Sequence, residues 1–373
     1  MTSDRRSICF YAKAPNNVVM WRPLWEVLRR DDRLAITLCG EWQGSRRPRA
    51  LFEAFGMPSD HVAWLPLVRW RDFDMLISPD VTLAAPRARW RVQIYHGVSF
   101  KGRPYRPLIR KFNKLFLIGE DMRRRYVQRG ILPDDDDRFE RIGMPKTDPL
   151  ITGPFDRDQL MARHGLDPTC PTVLYAPTWR KESSIYTFGR EFLSYLRHSE
   201  FNVLVKLHDW LLDPRRNPID WRTEIILMRR PGFVLIEDPD IIPWLRIADL
   251  LVSDASSVAN EYLLLNRPIV FLDVPQLFEK YKETIDLDGW GRKTGTVVGN
   301  VRDAVKAVKS GLAGEDGLSE VRRAAAADYF YNPGRATAAA IARIYSLLDL
   351  DPPSDVSTLV NHRHRHSTLN SSG

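Results

Sequence analysis

The chain has 373 residues, 44% of them apolar and 27% charged, with a net charge of +8. That length exceeds one ordinary domain and suits two, and the composition excludes wholesale disorder. Three widely separated cysteines, Cys9, Cys39 and Cys170, exclude a disulfide scaffold and a cysteine-based zinc site, and they fit a reducing compartment. No apolar run reaches the roughly 18 residues of a membrane-spanning helix. The first residues lack the apolar centre of a signal peptide, so the chain is expected in the cytoplasm, touching a membrane only at its surface.

Along the chain, short apolar or β-branched runs alternate with helical patterns. In the first half strands are expected at 7–12, 34–39, 62–67, 74–78, 91–96, 114–119 and 139–143, with helices over 21–30, 49–55 and 121–129. The Pro- and Gly-rich stretch 143–159 reads as a boundary between periodic segments. Beyond it strands are expected at 172–177, 201–207, 232–237, 249–254, 268–273 and 295–299, with helices over 190–198 and 256–265. Helices over 318–330 and 335–347 close the fold. Continuous apolar strands covered by helices on both faces predict doubly wound parallel α/β sheets, and the length accommodates two of them. The expected domains are 1–150 and 151–348, followed by a polar disordered tail, 349–373, whose NHRHRH run (361–366) reads as incidental.

Charge is concentrated. Between Arg87 and Arg125 lie twelve Lys/Arg, including Lys101, Arg103, Arg106, Arg110, Lys111 and Lys114, against Glu120 and Asp121. Such a stretch attracts phosphates, anionic lipid or nucleic acid, or it is simply a solvated basic face. Phe100, Tyr105, Phe112 and Phe116 interleave with the charges, but no nucleic-acid motif accompanies them, so nucleic acid is not the expected partner. The acidic run Asp134–Asp137 reads as a solvated loop and not as a metal site.

The most informative segment is SDASSVANEYLLL, 253–265, in which an apolar strand ends and Ser256 and Ser257 open a helical pattern. Serine is a common N-cap, and a helix start presents unpaired N–H groups to an anion. An ordinary cap and a phosphate site fit this spacing equally. Glu261, one turn further, is placed to accept from a ribose. His96 and His208 each close an apolar strand, where open α/β sheets bind ligands, so two facing sheets would bring both imidazoles to an interdomain cleft. Thr178 and Arg180 follow the strand at 172–177 and suit phosphate recognition. P-loop, GxGxxG and HExxH signatures are missing, and the chemistry calls for no cofactor or metal.

Six segments in order, YHGVSFKG (95–102), IGMPKTDPL (142–150), VLYAPTWR (173–180), VKLH (205–208), SDASSVANEYLLLNRPIVF (253–271) and DYFYNPGRATAAAIARI (328–344), resemble the CDP-glycerol glycerophosphotransferase family, the teichoic-acid-type primases and polymerases. The resemblance implies a GT-B-type fold of two Rossmann-like domains with the active site between them. It implies transfer of an alditol phosphate from a CDP-activated donor to a hydroxyl of a lipid-linked or polymeric acceptor, releasing CMP. The HG and KxH histidines map to His96, as base, and His208, as stabiliser of the phosphoryl group. Donor binding maps to Ser256, Ser257 and Glu261, with Thr178 and Arg180 on the diphosphate. The family's setting implies a peripheral protein on the inner membrane face, with the basic stretch on anionic lipid. Val98-Ser99, Asp209 and Lys146-Thr147 depart from the family pattern and leave the alditol open. A nucleotide-sugar glycosyltransferase on the same fold is the alternative.

Overall fold

A computed structural model of the protein describes residues 5–41, 47–81, 86–98, 105–213, 217–282 and 291–353. The chain divides into two compact units. The first holds a sheet in the order β3-β2-β1-β4-β5-β6-β7, formed by Arg6–Ala12 (β1), Leu34–Gly40 (β2), Val62–Trp64 (β3), Asp72–Ser78 (β4), Arg87–Gln93 (β5), Lys114–Leu117 (β6) and Phe139–Arg141 (β7). The second holds β10-β9-β8-β11-β12-β13, formed by Thr172–Tyr175 (β8), Asn202–Val205 (β9), Phe233–Leu235 (β10), Leu250–Ser253 (β11), Ile269–Leu272 (β12) and Thr296–Val298 (β13). All the pairings are parallel. Both sheets follow the Rossmann strand order, in which the direction of winding reverses beside the first strand of each unit. The sequence expectation of two doubly wound parallel sheets is borne out.

The strands sit where continuous apolar runs placed them, with instructive differences at their ends. β8, β9, β11 and β12 are buried at every position, as strands covered on both faces must be. β5 was expected at 91–96 but spans Arg87–Gln93. Its first residues alternate charged and apolar because one face is open to solvent, so they lack the signature of a fully buried strand. The expected strand at 62–67 stops at Trp64, and Leu65–Val68 instead forms one helical turn with Pro66 in its first positions, where proline is tolerated.

The first unit takes the described residues up to Pro154 together with the chain from Asp328, and the second takes Phe155–Ala327. The closing helix thus belongs with the first sheet, not with the 151–348 domain expected from sequence. Its attachment is specific. The buried Asp148 carboxylate accepts from the N–H groups of Ala336 (3.0 Å) and Thr337 (2.7 Å) at the start of helix Ala336–Leu347. Tyr331 N–H donates to Ile118 O at 2.7 Å. Gly143, at φ +96°, brings its backbone so close that a Cβ would lie 2.1 Å from Tyr331 O. A return of this kind leaves no local trace in sequence. The tail beyond 353, including the NHRHRH run, lies outside the described residues.

Several cations of the basic stretch are paired with acidic residues, some one helical turn away and some remote in sequence. Arg125 pairs with Asp121 (2.6 Å), Arg124 with Asp328 (2.5 Å), Arg87 with Asp72 (3.0 Å) and Arg89 with Asp349 (3.1 Å). Lys114, expected on the patch, is buried and faces Glu140 (3.4 Å) and Asp137 (3.7 Å). Arg110 donates to Ile131 O at 2.8 Å. The acidic run is correspondingly engaged and not merely solvated, with Asp134 on Arg123 and Asp136 on Arg138. Arg106 and Lys111 remain exposed, and Lys101 and Arg103 lie outside the described residues.

Replacing Asp148 by Ala leaves two buried amide donors of the closing helix without their acceptor. Loss of about 2–3 kcal/mol of stability is expected, read from urea unfolding followed by circular dichroism.

Candidate active site

In the second unit the winding reverses between β8 and β11, and the chain leaves these adjacent strands side by side. Asp254 follows β11 and is fully buried. Its Oδ1 accepts from the N–H of Thr178 (2.8 Å) and of Ala255 (2.5 Å). Its Oδ2 accepts from the N–H (2.9 Å) and hydroxyl (2.8 Å) of Ser184. The Tyr175 hydroxyl lies 2.9 Å from Ser184 Oγ, and since that serine already gives its proton to Asp254, the tyrosine donates. Burial and the Asp254 charge push the Tyr175 pKa up, which keeps that proton in place. Ser253 Oγ donates to Ala176 O at 2.8 Å. One carboxylate therefore fixes the loop after β8 against the loop after β11. The sequence reading passed over Asp254, although its position between two strand exits is where a buried acid in SDASS would act.

The β8 loop carries Thr178, buried, and Arg180. The Arg180 guanidinium stacks on Trp179 with Cζ 3.9 Å from the ring centroid and on Tyr281 at 4.6 Å. Its Nε is buried and has no hydrogen-bond partner among the described residues. A cation held close to two aromatic rings with a donor unused is preorganised for an anion. Across the strand exit, Ser256 and Ser257 are half-buried. The helix begins at Val258 and is only 5 residues long, and Ser257, at the cap position with αR backbone, makes no side-chain cap bond. Of the two readings that the spacing left open, an ordinary serine cap is thereby excluded at Ser257. Glu261 is only 1% exposed and so offers almost no surface to a ribose.

His208 does not end its strand as expected; β9 stops at Val205. The turn that follows is held by Lys206 N–H on Tyr175 O (2.9 Å) and Leu211 N–H on His208 O (2.8 Å). The exposed imidazole accepts the Trp210 N–H at Nδ1 (3.2 Å). The proton of the neutral ring therefore sits on Nε2, making that edge a donor. Trp179 and Trp210 flank the ring at centroid distances of 5.9 and 5.8 Å. Two residues before it, Lys206 Nζ is buried without a hydrogen bond among the described residues. Burial lowers the Lys206 pKa, while Asp209, Asp238, Asp240 and Glu237 pull it back up.

In the first unit His96 likewise stands beyond its strand, which ends at Gln93. It is exposed and follows buried Ile94 and Tyr95. The Tyr95 hydroxyl meets that of Tyr126 at 3.0 Å, and Tyr126 packs edge-on against Tyr105 at 5.0 Å. Buried anchors thus set the backbone that presents each histidine.

Residues 113–346, more than half of the chain, match the CDP-glycerol:poly(glycerophosphate) glycerophosphotransferase family. The chain belongs to this family. Its sequence is similar to the teichoic acid glycerol-phosphate primase of Bacillus spizizenii, with 28% identity over 166 residues, covering 43% of this chain and 38% of that protein. It is also similar to the teichoic acid poly(ribitol-phosphate) polymerase of the same organism, with 25% identity over 251 residues, covering 61% of this chain and 38% of that protein. The chain thus matches well under half the length of either relative.

The fold is similar to that of the wall teichoic acid polymerase TagF (TM-score 0.64, 16% identity, covering 93% of this chain and 88% of that one). It is similar too to MnaA from S. aureus in complex with UDP (TM-score 0.60, 13% identity, covering 94% and 99%). Both likenesses establish a GT-B-type pair of α/β domains for this family member.

Exchanging Asp254 for Asn sets an amide N–H or a weaker acceptor against donors that now meet a carboxylate. A loss of about 3 kcal/mol is expected on thermal or urea unfolding, and Ser184→Ala should lose about 1 kcal/mol.

Proposed function

We propose that this family member transfers an alditol phosphate, glycerol phosphate in the first instance, from a CDP-activated donor to a hydroxyl of a lipid-linked or polymeric cell-surface acceptor. The observation that carries the reading is the pair of loops tied by Asp254, which hold the Arg180 guanidinium with an unused donor and a Ser257 hydroxyl not spent on capping. Aimed donors of this kind are what a diphosphate requires. Membership of the family supports CDP as the nucleotide and an alditol phosphate as the transferred group.

On this reading Thr178, Arg180, Ser256 and Ser257 hold the donor diphosphate, and Glu261 supports their loop. His96 takes the proton of the acceptor hydroxyl. The acceptor oxygen bonds to the phosphorus that carries the alditol, the bond from that phosphorus to the bridging oxygen breaks, and CMP leaves with that oxygen and its charge. His208 donates from Nε2 to the phosphoryl oxygens, a role open to the neutral ring because Trp210 N–H occupies Nδ1. Positioning and electrostatics account for most of such a phosphoryl transfer. Among the described residues no helix is long and apolar enough to cross a membrane. A lipid-linked acceptor would be met at the inner membrane surface, by peripheral contact with anionic lipid.

Incubation with CDP-glycerol and an acceptor should release CMP; no CMP there, with release of a nucleoside diphosphate when a nucleotide-sugar is the donor, would identify a glycosyltransferase instead. His96→Ala and His208→Ala should each abolish turnover with unfolding midpoints unchanged. Ser256→Ala/Ser257→Ala should raise donor KM about tenfold, the worth of one charge-assisted hydrogen bond, and leave acceptor KM in place.

A further inference from the structure

The β3-to-β4 connection differs from the longer helices elsewhere in the first unit. It crosses the sheet as a single helical turn, Leu65–Val68, 4 residues long. Val68 and Leu65 face the sheet and pack with Cys9, Tyr11, Cys39 and Phe73. Their neighbours point the other way: Trp64 is 43% exposed, Leu67 73% and Trp70 72%. Large apolar side chains are uncommon at such exposure, and here three fall within one short stretch, which marks a surface that meets an apolar phase or a partner.

The charges beside them select the occupant. Between Val62 and Arg71 the sequence has no acidic residue. Arg69 and Arg71 are exposed and form no ion pair among the described residues. The Arg69 guanidinium lies over the Trp70 ring, 5.1 Å from its centroid. Asp72 is occupied by Arg87, which also donates to Trp70 O at 3.2 Å. Tryptophan and leucine flanked by unpaired arginines match the boundary between acyl chains and anionic headgroups. A second copy of the chain, docked by a two-fold axis, would bring these arginines against each other.

We propose that Trp64, Leu67 and Trp70, with Arg69 and Arg71, form an interfacial anchor that inserts into the headgroup region of an anionic bilayer. The inference rests on the membrane part of the reading above and adds a second surface to it, since among the residues expected to meet lipid Lys114 is buried against Glu140 while Arg106 and Lys111 stay exposed. It does not depend on which group the enzyme transfers.

The test is co-sedimentation of the full chain with vesicles of phosphatidylglycerol and phosphatidylcholine, with no substrate present. The chain should bind, and Leu67→Ser/Trp70→Ser should lose at least about tenfold in partitioning, as expected from two large apolar side chains withdrawn from the interface. Arg69→Gln/Arg71→Gln should lower binding to phosphatidylglycerol vesicles and leave the weak binding to pure phosphatidylcholine unchanged. CMP release with a water-soluble acceptor, and the unfolding midpoint, should be the same in all three proteins. Failure of the wild-type chain to bind, or equal partitioning of the Leu67/Trp70 variant, overturns the anchor. So does a concentration-dependent dimer in light scattering that the same variant abolishes. Absence of CMP release in every protein would count against the transferase reading and leave the vesicle result intact.

Discussion

A single buried carboxylate organises the strand-exit loops of the second unit. Asp254 has no exposed surface, and removing a charge from water costs several kcal/mol unless its lone pairs are filled. Here four donors from three residues fill them. Because these residues come from the exits of two adjacent parallel strands, satisfying the charge fixes the relation between the loops. Thr178 is held through its own N–H, so the stacked Arg180 two residues later starts from a fixed backbone. On the other side, Ala255 N–H ties the start of the serine segment to the same carboxyl group.

The two histidines show a related economy of backbone. Neither lies in a strand, yet each follows buried residues that leave its position little freedom: Ile94 and Tyr95 before His96, Leu207 before His208. At His208 the backbone goes further and sets the tautomer, because a main-chain N–H at Nδ1 leaves the neutral ring with its proton at Nε2. The ring is then a donor without needing a second proton. A base and a donor are different tasks, and this contact distinguishes a candidate for the second.

Much of this was legible in sequence. Buried parallel strands such as LLVS, Val252 among them, read as continuous apolar runs, and the alternation with helices gave the fold class. His96, His208, Arg180 and the serine pair stand near strand exits, and the ordered segments that point to the family include all of them. What escaped was set by contacts between residues remote in sequence. Asp254 looks like any polar residue in a turn until Ser184 and Thr178 converge on it. The closing helix looked like the end of the second domain, and only Asp148, nearly two hundred residues earlier, assigns it to the first sheet. Glu261, placed by spacing one turn beyond the serines to meet a ribose, is buried in a helix of only 5 residues.

Charge was the least legible property. A one-dimensional tally counts Arg123, Arg124 and Arg125 as part of a field, but in the fold they answer Glu120, Asp134, Asp328 and Asp121. Lys114 goes further and is buried with Glu140. A cation already paired at hydrogen-bond distance projects little potential beyond a Debye length of about 8 Å. The residues able to act on a distant anionic surface are therefore those without acidic neighbours, whatever the local count. By that criterion Arg69 and Arg71 outrank the paired members of a stretch that contains six times as many basic residues, and the exposed tryptophan and leucine side chains beside them add the apolar contribution that paired charges lack.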